Sequence, residues 1–111
     1  MPTLTKRPGV ESESAYNALS DILVNQFGAE KSKMFGMPCL KIRSKAFCGL
    51  FHGEMVFKLV GDEHKQALKL DGAKLFDPTD KDRPMKEWVQ VPFAHKDQWQ
   101  ELAIEALKYV A

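Results

Sequence analysis

Between residues 16 and 27, Tyr16, Leu19, Ile22, Leu23 and Phe27 recur at three- and four-residue steps, which places them on one face of a helix. Ser12 or Ser14 suits its N-cap and Gly28 its stop. From residue 34 to residue 60 the pattern changes to short runs rich in Phe, Ile, Val and Met, broken at Arg43-Ser44 and at His52-Gly53. Such runs predict three antiparallel strands joined by two tight turns. A two-residue loop at Arg43-Ser44 sets Leu40 opposite Phe47 and Cys39 opposite Cys48, because paired positions sum to a constant. A similar loop at His52-Gly53 pairs Leu50 with Met55 and Cys48 with Phe57.

One sheet face then carries Met37, Cys39, Cys48, Leu50, Met55, Phe57 and Leu59 and reads as core. The other carries Leu40, Ile42, Phe47, Phe51, Val56 and Val60 beside Glu54 and Lys58. This second face is too apolar to stand bare, so it is expected to be partly covered, with a second subunit as one source of cover.

Asp62 caps a predicted short helix through Leu70, with Gly72 beyond its end. Residues 73–77 and 86–91 read as two further strands around a polar loop. The last segment, from about His95 to Tyr109, places Trp99, Leu102, Ala103, Ala106 and Val110 on one helical face. The order is helix, three strands, helix, two strands, helix. Short turns make successive strands pair antiparallel, and the helices then form a second layer, so the fold class is two-layer α+β.

Residues 1–10 hold prolines, a glycine and basic residues with little apolar material, which predicts a flexible tail before a single domain spanning 11–111. The chain of 111 residues is 44% hydrophobic and 28% charged, enough for one core without metals or disulfides. Its net charge of +1 supplies no global field toward nucleic acid or acidic membranes, so any such contact must come from a local patch. No apolar run is long enough to span a bilayer, and the N-terminus lacks a signal-peptide stretch. The expectation is a soluble cytoplasmic protein with no membrane association, in which Cys39 and Cys48 are reduced thiols.

Candidate chemistry is sparse. Cys39 and Cys48 fall mid-strand on an apolar face, where a thiol is ordinarily inert packing, although their cross-strand position would also admit a redox disulfide. A thiolate nucleophile would use Cys39 or Cys48 with His52. His52, His64 and His95 lack a second ligand at metal-binding spacing and read as surface or capping residues. Asp77, Asp80 and Asp82 share a loop with two prolines, no bend glycine and no downstream bidentate Glu, so they read as solvated turn residues rather than a calcium site. Glycine-rich phosphate loops are absent from the sequence. The reading is therefore non-enzymatic, without a small-molecule cofactor.

The remaining signal is basic. Lys41, Arg43 and Lys45 gather at the first predicted hairpin tip, with Lys31 and Lys33 just ahead of the sheet and Lys6 and Arg7 in the tail. A tip of this kind grips a phosphate backbone in the manner of a wing, and its plainer role is to keep a turn soluble.

Several segments taken in order carry a family resemblance. Met34-Phe35-Gly36-Met37-Pro38-Cys39-Leu40, Ala46-Phe47-Cys48-Gly49-Leu50, Val56-Phe57-Lys58-Leu59, Gly72-Ala73, Phe76-Asp77-Pro78 and Arg83-Pro84-Met85-Lys86-Glu87-Trp88-Val89 before Val91-Pro92 resemble the N-terminal domain of the TfoX/Sxy family over residues 15–110. The resemblance implies a secretion-chaperone-like α+β fold and a stand-alone module akin to regulators of bacterial competence and transcription. It supplies no catalytic residues. Relatives often carry Asn-Gly where this chain has Arg43-Ser44, which adds a charge to the tip. Two functions follow as expectations: an accessory regulatory protein touching DNA or a DNA-bound regulator through Lys41, Arg43 and Lys45, or a small homodimer whose apolar sheet face docks an unknown protein partner.

Overall fold

The computed structural model describes residues 8–78 and 84–111. Helix α1 (Pro8–Phe27) leads into strands β1 (Glu30–Met34), β2 (Met37–Ile42), β3 (Lys45–Phe51) and β4 (Glu54–Lys58), followed by α2 (Gly61–Leu68), β5 (Lys74–Phe76) and β6 (Met85–Val91). A 3-10 turn, Phe93–His95, then opens α3 (Lys96–Val110). The six strands form one antiparallel sheet in the order β1-β2-β3-β4-β6-β5. Helix α3 lies on β3 and β4, flanked by α1 toward β1 and by α2 against β6.

The α1 stripe behaves as its spacing predicts, with Tyr16, Leu19 and Leu23 buried, while Phe27 at its end is exposed. Gly28 stops the helix in the left-handed region at φ 77°, and the amides of Gly28 and Ala29 donate back to the carbonyls of Val24 and Leu23. The helix begins earlier than expected, at Pro8, a residue suited to a first turn because its missing N–H has no intrahelical acceptor there. Ser12 and Ser14 therefore lie inside the helix rather than at its cap, and only residues 1–7 of the expected tail fall outside the described residues. Asp62 likewise sits in the first turn of α2, whose N-cap is Val60.

Four strands, not three, precede α2. The additional strand β1 reads Glu-Lys-Ser-Lys-Met and lacks the apolar alternation that betrays a strand, since most of its side chains meet solvent. It is tied to β2 by a two-residue turn, Phe35-Gly36, with φ of 51° and 75°. Arg43-Ser44 (52° and 66°) and His52-Gly53 (50° and 80°) repeat this conformation. Positive φ at both central positions gives the primed turns whose twist matches paired strands.

The β3–β4 register is the expected one, with Leu50 facing Met55 and Cys48 facing Phe57. The β2–β3 register is not. Lys41 pairs with Ala46 and Ile42 with Lys45, but Leu40 pairs with Cys48 and Cys39 with Gly49, because Phe47 is an extra residue in a bulge. One inserted residue inverts the side-chain alternation, so Phe47 and Cys48 both enter the core beneath the helices. Leu40 and Ile42 join them, with Leu50, Met55, Phe57, Leu59, Trp99, Ala103 and Ala106. Met37 instead faces the opposite side, and Cys39 shares its parity on β2.

That helix-free side is covered by the chain itself. Val56 and Phe76 are fully buried there, with Met37 and Trp88 nearly so. Phe76 comes from the edge strand β5, where the register against β6 jumps from Leu75 opposite Val89 to Phe76 opposite Met85. Its ring meets Phe51 edge-on at 5.1 Å and Trp88 at 6.3 Å.

Candidate functional site

The hairpin tip expected to bind a phosphate backbone is present, but its cations diverge. Opposed residues share a face, so Ile42 and Lys45 lie on the helix side and Lys41 and Ala46 on the other, with Arg43 in the turn between them. Lys41 also stands opposite Glu30 of β1. Arg43 and Lys45 are exposed, whereas Lys41 is half-buried. Lys31 is bound to Asp21 of α1 at 3.3 Å. Lys6 and Arg7 lie outside the described residues.

The thiols are held away from reactivity. Burial pushes the Cys48 thiol well above its ordinary range, and the neighbouring Cys39 thiol adds to the shift. Burial also raises Cys39, against the opposing pull of Lys41. The bulge sets the cysteines one step out of register, with parities that point them to opposite sheet faces, a poor arrangement for a disulfide. His52 does not approach Cys48 as a base would: it sits on the β3–β4 turn, with its ring stacked on Phe51 at 3.9 Å.

The other histidines tie loops to the body. His64 Nε2 donates to the carbonyl of Lys86 and His95 Nε2 to that of Asp71, each at 2.8 Å. Among the described residues no three His, Cys, Asp or Glu side chains gather as metal ligands, and no helix is long and apolar enough to cross a membrane. Asp80 and Asp82 lie outside the described residues.

The structure draws attention instead to one end of the sheet. The β1–β2 and β3–β4 turns lie side by side there, and the N-terminal part of α1 reaches the same end through Ser12 and Glu13. Between the turns runs an open groove lined chiefly by Phe35, Met37, Pro38, Leu50, Phe51 and His52. Phe35 is the most solvent-exposed large apolar residue described, at 61%. A bulky aromatic in the left-handed region is strained, by about 1 kcal/mol or more. The Phe35 ring contacts Phe76 edge-on at 6.5 Å and so extends the buried aromatic cluster to the surface.

The groove is not legible in the sequence, because the apolar run from Met34 onward reads as continuous strand and hides the Phe35-Gly36 turn. The available signal was glycine at the second place of a two-residue connection, as in His52-Gly53. Comparison with known proteins finds no matching family model, no matching curated protein and no matching solved structure.

Proposed function

We propose that this chain is a non-enzymatic regulatory accessory protein that acts by docking another protein at the Phe35 end of its sheet. The observation that carries the reading is Phe35 itself, exposed and strained beside an apolar groove. An aromatic ring held in water by a rigid turn is unfavourable for an isolated monomer and suits a contact that buries it. The resemblance to the TfoX/Sxy N-terminal domain supports a partner in transcriptional control. Raised, buried thiols and histidines engaged in loop contacts or stacking support a role without catalysis.

The test is to install a benzoyl-phenylalanine photo-crosslinker at position 35 in the living cell. Adducts to one discrete protein, absent when the crosslinker replaces exposed Asp97, are expected. Adduct patterns identical at the two positions would remove the docking role.

A second reading, direct DNA contact, rests on Arg43 and Lys45 standing exposed at a hairpin tip. It requires duplex binding that weakens steeply with salt and disappears when Lys41, Arg43 and Lys45 are all changed to Gln. Divergence of the cations over both faces of the hairpin makes it the weaker reading.

A further inference from the structure

Strand β1 closes one edge of the sheet, and among the described residues nothing pairs with its outer side. Its ladder with β2 is regular from Glu30 to Met34, without a bulge or proline of its own. In a hairpin with a two-residue turn the flanking pair, here Met34 and Met37, exchanges both backbone hydrogen bonds, and the pattern then alternates. Glu30, Ser32 and Met34 therefore spend their backbone groups on β2. The N–H and C=O of Lys31 and Lys33 point outward, an unused row of donors and acceptors.

The side chains decide what this edge accepts. Lys31 and Lys33 share the helix-side face, where Lys31 already binds Asp21 at 3.3 Å, and Lys33 has no carboxylate partner among the described residues. A second copy is disfavoured. Two-fold strand pairing is antiparallel and must match outward-pointing residues with one another, so every register that brings two outward-pointing residues of β1 together sets a lysine against a lysine. A strand with carboxylates at alternate positions meets the opposite situation: each acid falls across from Lys31 or Lys33, while the residue between them lies on the far face beside Ser32 and Met34.

We infer that the outer edge of β1 takes an extended acidic segment of a partner protein as a seventh, antiparallel strand. Backbone bonds to Lys31 and Lys33 supply the attachment, and the Lys33 ammonium, joined by that of Lys31 once it exchanges Asp21 for the incoming acid, selects the sequence. This surface is separate from the Phe35 groove, and the inference stands whether or not the groove docks anything.

The test is a fluorescence-anisotropy titration with a fluorescein-labelled peptide alternating Glu and Val, and with its Lys/Val counterpart. The Glu/Val peptide should bind at least about tenfold more tightly than the Lys/Val peptide. Lys33→Gln removes one charge and should weaken binding about threefold. Lys33→Pro also removes one outward N–H without touching the β2 ladder, and should weaken it about tenfold or more. A Glu/Val peptide methylated on the amide nitrogen facing the Lys33 carbonyl repeats that comparison on unaltered protein, should the proline variant not fold. Equal affinity for the two peptides, equal binding by the Gln and Pro variants together with indifference to the methylated peptide, or no binding up to about 1 mM would overturn the inference. Dimerisation through β1 that Lys33→Pro abolishes would overturn it in favour of a second copy.

Discussion

Gly49→Ala sets two effects of known sign against each other. In an unobstructed strand alanine is favoured over glycine by about 0.5–1 kcal/mol, because the unfolded chain loses less freedom on folding. At position 49, however, a Cβ would stand 2.7 Å from Met37 Cε and 2.8 Å from the Pro38 carbonyl oxygen, with Cys39 Cβ at 3.3 Å. The methionine tip can swing away, but the carbonyl belongs to β2, which is hydrogen-bonded to β1 on one side and β3 on the other. Relief requires the strands to part by about half an ångström, an overpacking strain of about 1–3 kcal/mol. The net expectation is destabilisation by about 1–2 kcal/mol. Urea unfolding followed by the fluorescence of Trp88 and Trp99 measures it as a lower midpoint at unchanged slope. Adding Met37→Ala should restore little, since the carbonyl clash persists. A midpoint at or above that of the parent protein would refute the close approach of β2 to Gly49 and, with it, the bulged register.

Ser44 holds φ 66° without being glycine, so Ser44→Gly should leave stability unchanged or raise it by up to about 1 kcal/mol, whereas Ser44→Val should lower it by about 1–2 kcal/mol, both seen as shifts in melting temperature. Phe76→Ala removes the fully buried ring between Phe51 and Trp88 and should cost about 3–5 kcal/mol in urea unfolding, with increased binding of a hydrophobic dye. The Cys48 thiol is raised by burial above its ordinary value of 9.0. Above that pH the unfolded chain releases a proton that the native chain keeps, so stability should fall as pH rises, and Cys48→Ala should flatten this alkaline limb in denaturant titrations. Cys39 and the buried Tyr16 hydroxyl, both raised chiefly by burial, and Tyr109, raised chiefly by its hydrogen bond to Glu87, act in the same direction and set the slope that remains.

Local periodicity along the chain carries a definite share of this architecture. The stripes of α1 and α3, the two-residue connections at Arg43-Ser44 and His52-Gly53, the β3–β4 register and the α+β class all follow from spacings of two and of three to four residues. Strand β1 escaped because an edge strand with most of its side chains in solvent has no apolar face to reveal it. The bulge at Phe47 escaped because one residue too many leaves no mark in composition, yet it exchanged the faces of Leu40, Ile42, Met37 and Cys39. Tertiary structure alone decided that the basic tip divides its cations between two faces, and that the chain's own Phe76 covers the second sheet face. It alone set the Phe35 and His52 turns side by side around a groove. These outcomes depend on pairing register and on contacts between residues distant in sequence. Such contacts form only when the whole sheet closes, so local patterns do not contain them.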